Sequence, residues 1–171
     1  KCIGCYAASS PSTESTLNWT LLNRIIEDAY SNMGMRFFVI SGGEPLLYKS
    51  ENRTILDLAE RWSDCFFLMY TNGTLINENI ASRMADLGNI TPAISIEGYE
   101  SETEERRGKG VYQRIIKAKD NLISNGVPFG LSVTATKKNI SLLLNESFYD
   151  FYFNGFGATY MWVFQYMPIG R

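Results

Sequence analysis

Residues 36–45 read RFFVISGGEP. The run RFFVIS is short and nearly continuous in apolar residues, which reads as a strand buried on both faces, as parallel sheets require. The run then stops. Gly42 and Gly43 lack Cβ, so a ligand can lie against the backbone and unusual φ/ψ is cheap there. Glu44 places a carboxylate at the mouth of the strand, and Pro45 fixes the turn while removing a donor. Two readings fit the segment by itself. One is a site that receives a ligand ammonium through carbonyls and one carboxylate. The other is a tight βα loop whose Glu starts a helix.

The surroundings repeat the same unit. Upstream, Leu17, Leu21, Leu22, Ile25, Ile26, Ala29 and Met33 recur at helical spacing, and Gly34 is a plausible stop. Downstream, apolar runs that read as strands (CFFLMYTNG, TPAISIEG, PFGLSVTAT, ATYMWVFQYMP) alternate with segments of helical period. Those helices are NRTILDLAERWSD, NENIASRMADLG, VYQRIIKAKDNLISNG and SLLLNESFYDFYFNG, the second with Asn77 as N-cap and Gly88 just past its end. ESETEERRGK reads as a solvated turn. Five strands alternating with helices predict right-handed βαβ units and a parallel sheet covered by helices. Ligands in such folds bind at the carboxyl ends of the strands. The segments there are SGGEP, TNG, SIEG, TATKKN and MPIGR. The chain starts in a loop, so a strand is expected before Lys1.

Composition narrows the chemistry. The 171 residues suit one domain, with 45% hydrophobic residues and a net charge of −2. Lys and Arg form no block, which argues against nucleic acid and against an anionic membrane as main partners. The apolar runs are too short to span a bilayer, and no secretory signal pattern is visible. Three cysteines are too few for a disulfide scaffold, so a reducing cytoplasm is expected. The absence of histidine excludes Ser-His-Asp and Cys-His catalysis and removes the commonest zinc ligand.

The chain opens KCIGCY, with Cys2 and Cys5 three positions apart. Taken alone, a CxxC is a metal half-site, a redox pair or incidental. SSPSTES stands between it and the first helix, which counts against a thioredoxin-like pair. Cys65 opens a buried run and reads as a structural thiol. Thr71 and Asn72 read as turn formers first. Ser132 lies within a strand that can face a barrel lumen. The aromatics of FYDFYFNGFG read as a helix face packed on the sheet.

The order of these pieces decides between the readings. A CxxC followed by an aromatic, a helix, strand-GGEP, strand-TNG and strand-SxEG resembles the radical S-adenosylmethionine superfamily. The resemblance implies an α/β fold, a partial (β/α)6 barrel of parallel strands with its first strand missing from the chain, and one core domain over residues 1–171. It implies a [4Fe-4S] cluster held by a CxxxCxxC motif. Cys2 and Cys5 match the second and third cysteines and Tyr6 the aromatic that follows them. The first cysteine would lie four places before Cys2. It also implies an S-adenosylmethionine site. Gly42, Gly43, Glu44 and Pro45 would surround its ammonium, Ser95 and Glu97 its ribose, Arg106 or Arg107 its carboxylate. Asn139 would add a polar contact, and the backbone near Met167 would meet adenine.

The family's chemistry is one-electron cleavage of the sulfonium to a 5′-deoxyadenosyl radical, which takes a hydrogen atom from an unreactive carbon. No histidine base is required for it. SIEG with RxGKGVY most resembles the SPASM/twitch-type subclass that modifies peptides or activates enzymes. A peptide or protein substrate and a donor such as flavodoxin or ferredoxin are therefore implied. The chain as given, with two of three cluster thiolates, is expected to hold no intact cluster. The competing classes are a non-catalytic nucleoside-binding domain of the same fold and a CxxC redox or zinc module.

Overall fold

The computed structural model describes residues 2–5 and 16–168, so Tyr6 and the last residues of MPIGR lie outside it. Helix α1, Trp19–Met33, begins where the Asn18 side chain accepts the Leu21 N–H and ends at Gly34, with φ 68°. Strand β1, Phe37–Ile40, leads into a short 3-10 turn at Pro45–Leu47 and then α2, Ile55–Arg61. Next come β2 (Phe66–Thr71), α3 (Glu78–Leu87) and β3 (Ile90–Ile96). The last half holds α4 (Glu100–Arg107), α5 (Val111–Ser124), β4 (Gly130–Ala135), α6 (Ile140–Leu143), α7 (Glu146–Asp150) and β5 (Tyr160–Gln165). Asn77 and Gly88 cap α3 as its sequence predicts.

The five strands are all parallel and pair in chain order, β1-β2-β3-β4-β5. The sheet curls into a half-barrel. Side chains alternate across it with period two. Phe67, Met69, Ile94, Ile96, Leu131 and Val133 face the helices and join Leu58, Ala59, Met84, Ile115 and Leu122 in one buried core. The opposite residues of each strand face the lumen. Gly130 and Tyr160 are register partners on β4 and β5. The Tyr160 ring lies across Gly130, and its hydroxyl meets Thr91 Oγ1 at 3.0 Å and donates to the Pro92 carbonyl at 3.2 Å. That ring sits at the amino-terminal end of the lumen.

Three sequence expectations need correction. The run RFFVIS is covered on one face only: Phe37 and Val39, on the lumen side, are about half exposed. ESETEERRGK is mostly helix α4, not a solvated turn. Glu102 accepts the Tyr99 N–H, acidic residues occupy its first turn and Arg106 and Arg107 its last, which suits the helix dipole. Its only buried residue is Thr103, so no apolar period marked it. Residues 141–155 are likewise not one helix. Asn145 interrupts them, its side chain accepting the Ser147 N–H to start α7, and the end widens into a π turn at Phe151–Gly155. Phe148 of α7 meets Tyr99 edge-on and Tyr152 of the π turn stacks on it, at the foot of α4.

Candidate functional site at the carboxyl ends of the strands

The segments singled out in the sequence gather at one end of the half-barrel, because every strand runs the same way. Glu44 organises two of them. Its Oε1 accepts the Leu46 N–H, which starts the 3-10 turn, and the Thr71 hydroxyl at 2.7 Å. Its Oε2 accepts the Asn72 N–H at 2.8 Å. The carboxylate therefore ties the loop after β1 to the loop after β2. Of the two sequence readings of SGGEP, the one in which Glu starts a helical turn is seen here. Gly42 and Gly43 are exposed, and a Cβ on Gly42 would touch nothing within 4 Å. Neither has a positive φ, so what they contribute is open backbone, not unusual conformation. Asn72 accepts from the Thr74 N–H and hydroxyl, and its turn role is plain.

Ser95 and Ser132 lie opposite each other on the lumen side of β3 and β4, their hydroxyls 3.1 Å apart. Glu97, two residues on, is 3% exposed. Its Oε2 accepts Arg106 Nη1 at 2.6 Å and its Oε1 accepts Arg107 Nε and Nη2 at 2.9 and 2.5 Å. The carboxylate that sequence reading aimed at a ribose is thus the counter-ion of both arginines. Asn139 is also committed to the protein. It accepts from the Thr136 N–H and hydroxyl and donates to the Glu97 and Thr134 carbonyls, stapling the ends of β3 and β4. Tyr152 and Thr103 hold the intervening turn by donating to the Gly98 carbonyl. Burial pushes the Tyr152 phenol far up, so it stays a donor.

The loop CIGC is held against this assembly. The Ile3 N–H donates to the Arg106 carbonyl at 3.1 Å, one of the carbonyls a helix end leaves without an internal partner. Arg106 Nε returns a bond to the Ile3 carbonyl at 3.0 Å, and Nη2 reaches the Gly4 carbonyl at 3.4 Å. Arg107 Nη1 donates to Cys2 Sγ at 3.8 Å. Gly4 has φ 67°, a left-handed conformation that disfavours other residues, and a Cβ there would lie 3.2 Å from the Tyr166 hydroxyl. Met167 follows Tyr166 and is exposed. Cys65 immediately precedes β2, at the other end of the strand, buried, with its thiol pushed up by desolvation, as a structural residue should be.

Sequence reading missed three participants: the grip of Arg106 on the loop backbone, the Arg107 bond to Cys2, and Tyr166 over Gly4. The loop contacts join residues more than a hundred positions apart, and no local pattern reports them.

Two half-buried thiols, with the Arg107 guanidinium at the sulfur of Cys2, suit iron–sulfur ligation, in which thiolate charge needs nearby compensation. Among the described residues, no group of three or more His, Cys, Asp or Glu could hold a metal ion. Cys2 and Cys5 therefore fit a cluster as part of its ligand set. A parallel α/β half-barrel thus carries a CxxC loop held at the carboxyl end of β3.

The comparisons with known proteins agree. The model of the Radical SAM superfamily matches residues 1–150, and the chain belongs to that superfamily. The Fe-coproporphyrin III synthase of Methanosarcina barkeri (strain Fusaro / DSM 804) is 28% identical over 142 residues, covering 82% of this chain and 35% of that protein. Mycofactocin maturase MftC of Mycolicibacterium smegmatis is 27% identical over 144 residues, covering 83% and 36%. The chain thus spans about a third of the length of these curated relatives. The fold matches that of anSMEcpe solved with bound AdoMet and Cp18Cys peptide, with a TM-score of 0.76 at 16% identity over 98% of this chain and 47% of that one. The cofactors of the superfamily are a [4Fe-4S] cluster and S-adenosylmethionine.

Proposed function

We propose that this chain is the core of an enzyme that cleaves S-adenosylmethionine reductively and modifies a peptide or protein. The observation that carries the reading is the seating of CIGC. Its backbone is fixed by Arg106, which Glu97 anchors at the carboxyl end of β3. When bound, the cluster and S-adenosylmethionine supply a 5′-deoxyadenosyl radical that takes hydrogen from the substrate.

The chain's own residues bind, orient and exclude water. Cys2 and Cys5 would each ligate an iron. The open backbone of Gly42 and Gly43, beside Glu44 and Pro45, would receive the cofactor's ammonium. Ser95 would face the ribose. Arg106 would meet the carboxylate through N–H groups not already given to Glu97, Ile3 and Gly4. The backbone at Met167 would lie against adenine. Glu97 and Asn139 act through the groups they hold. The aromatic lumen, with Tyr70 edge-on to Phe164, would shield a radical from solvent. The electron would come from a low-potential protein such as flavodoxin or ferredoxin, in the cytoplasm.

The peptide reading follows from SIEG and RxGKGVY and draws support from the peptide-bound neighbour and from the maturase relative. A second reading, a porphyrin-type substrate, is favoured by the Fe-coproporphyrin III synthase relative. The test is anaerobic turnover of the whole protein, after cluster reconstitution, with S-adenosylmethionine and a reductant. Formation of 5′-deoxyadenosine, stimulated by a peptide pool and not by a porphyrin, is the expected result. Stimulation by porphyrin alone selects the second reading, and no 5′-deoxyadenosine under any condition overturns both.

A further inference from the structure

Glu97, Arg106 and Arg107 form a buried charge group with one more positive than negative charge, set against the loop that carries Cys2. The arginine side chains are only 19% and 13% exposed, so water screens them little. The division of labour is clear from the bonds. Arg106 grips the loop's backbone, at Ile3 and Gly4, and sets where the loop lies. Arg107 directs a cationic N–H at the sulfur of Cys2. Glu97 orients it through two bonds from Nε and Nη2, which leaves Nη1 aimed at the thiol.

We propose that Arg107 is a positioning residue that sets the reduction potential of the iron–sulfur cluster through Cys2. This rests on the cluster reading given above. A cationic N–H on a ligating sulfur withdraws charge from it and so favours the state with the extra electron. The step is a one-electron reduction by an external low-potential donor; no bond breaks and no proton moves. Arg107 thus raises the potential, and Glu97, the anion paired with it, limits how far.

The charge signs make the test specific. Redox titration of the whole protein, with the reduced cluster followed by electron paramagnetic resonance, reads the potential without any turnover. Arg107→Met is expected to lower the reduced-to-oxidised ratio at a fixed poise about tenfold, roughly 59 mV more negative. Arg107→Lys, which keeps the charge, restores most of the difference. Glu97→Gln shifts the ratio in the opposite direction, and it decides the matter where Arg107→Met does not load iron. A residue that merely braces the loop would move all variants the same way or not at all. Unchanged potentials in Arg107→Met, or a shift of one sign in both Arg107→Met and Glu97→Gln, overturn the proposal. A wild-type protein that shows no four-iron signal overturns the cluster reading itself, which keeps the two failures apart.

Discussion

Replacing Gly130 by Ala should unseat Tyr160 from the base of the lumen. A Cβ at Gly130 would lie 2.1, 2.3 and 2.5 Å from Cε2, Cδ2 and Cζ of the Tyr160 ring. Carbon atoms pack at about 3.5–4.0 Å, so the ring must retreat by more than about 1 Å. Overpacking of this kind costs about 1–3 kcal/mol. The retreat also draws the hydroxyl away from Thr91 and the Pro92 carbonyl, a further loss of about 1 kcal/mol. The expected total is about 2–4 kcal/mol. Urea unfolding gives it directly as a lower midpoint at unchanged slope. The decisive measurement is a double-mutant cycle. In a Tyr160→Ala background the ring is gone, and Gly130→Ala should cost nothing or stabilise by up to about 1 kcal/mol, as alanine does where its backbone angles suit it. In Tyr160→Phe the steric part of about 1–3 kcal/mol should persist. Equal costs in all three backgrounds would refute the claim that the aromatic ring is why position 130 is glycine.

Two further outcomes follow from bonds already described. Burial pushes the Asp57 carboxyl up, but the bonds from Arg83 and Thr54 outweigh it and hold it down at about 2. Its ordinary value is 3.8, so its contribution is complete above that pH and is lost as pH falls from about 4 through about 2. With Arg83 partly exposed, the contribution is about 1–2 kcal/mol, and Asp57→Asn should remove that much at neutral pH and flatten acid unfolding in this window. An unaltered acid slope would contradict it. Glu44→Ala removes the acceptor shared by Leu46, Thr71 and Asn72, and should cost about 2 kcal/mol while amide exchange at Asn72 quickens. Exchange at the native rate would show that the two loops do not depend on this carboxylate.

Much of the fold was legible because its regular parts carry their own period. Buried parallel strands read as apolar runs, and α1, α3 and α5 each show an apolar stripe. Asn77, Gly34 and Gly88 mark ends through local chemistry, which sequence displays. Helix α4 was not legible, since charges at its two ends and one buried Thr103 hold it, and none of these has a helical period. The site was half legible for the same reason. Residue types at strand ends can be read, but their bonds cannot. That Glu97 faces two arginines and not the open mouth depends on α4 folding back over β3. That Gly130 is glycine depends on a side chain of the next strand.

One consequence of the seating of CIGC concerns position 3. Both backbone groups of Ile3 are bonded to Arg106, while its side chain is 72% exposed. The grip is therefore blind to which side chain stands there. A cysteine-reactive tag would compete with Cys2 and Cys5, but a non-natural amino acid at position 3 could carry a fluorophore or spin label with the loop's hold intact. Such a reporter would sit one residue from Cys2 and, on the cluster reading proposed above, sense loading, quenching or oxidation of the centre as it happens.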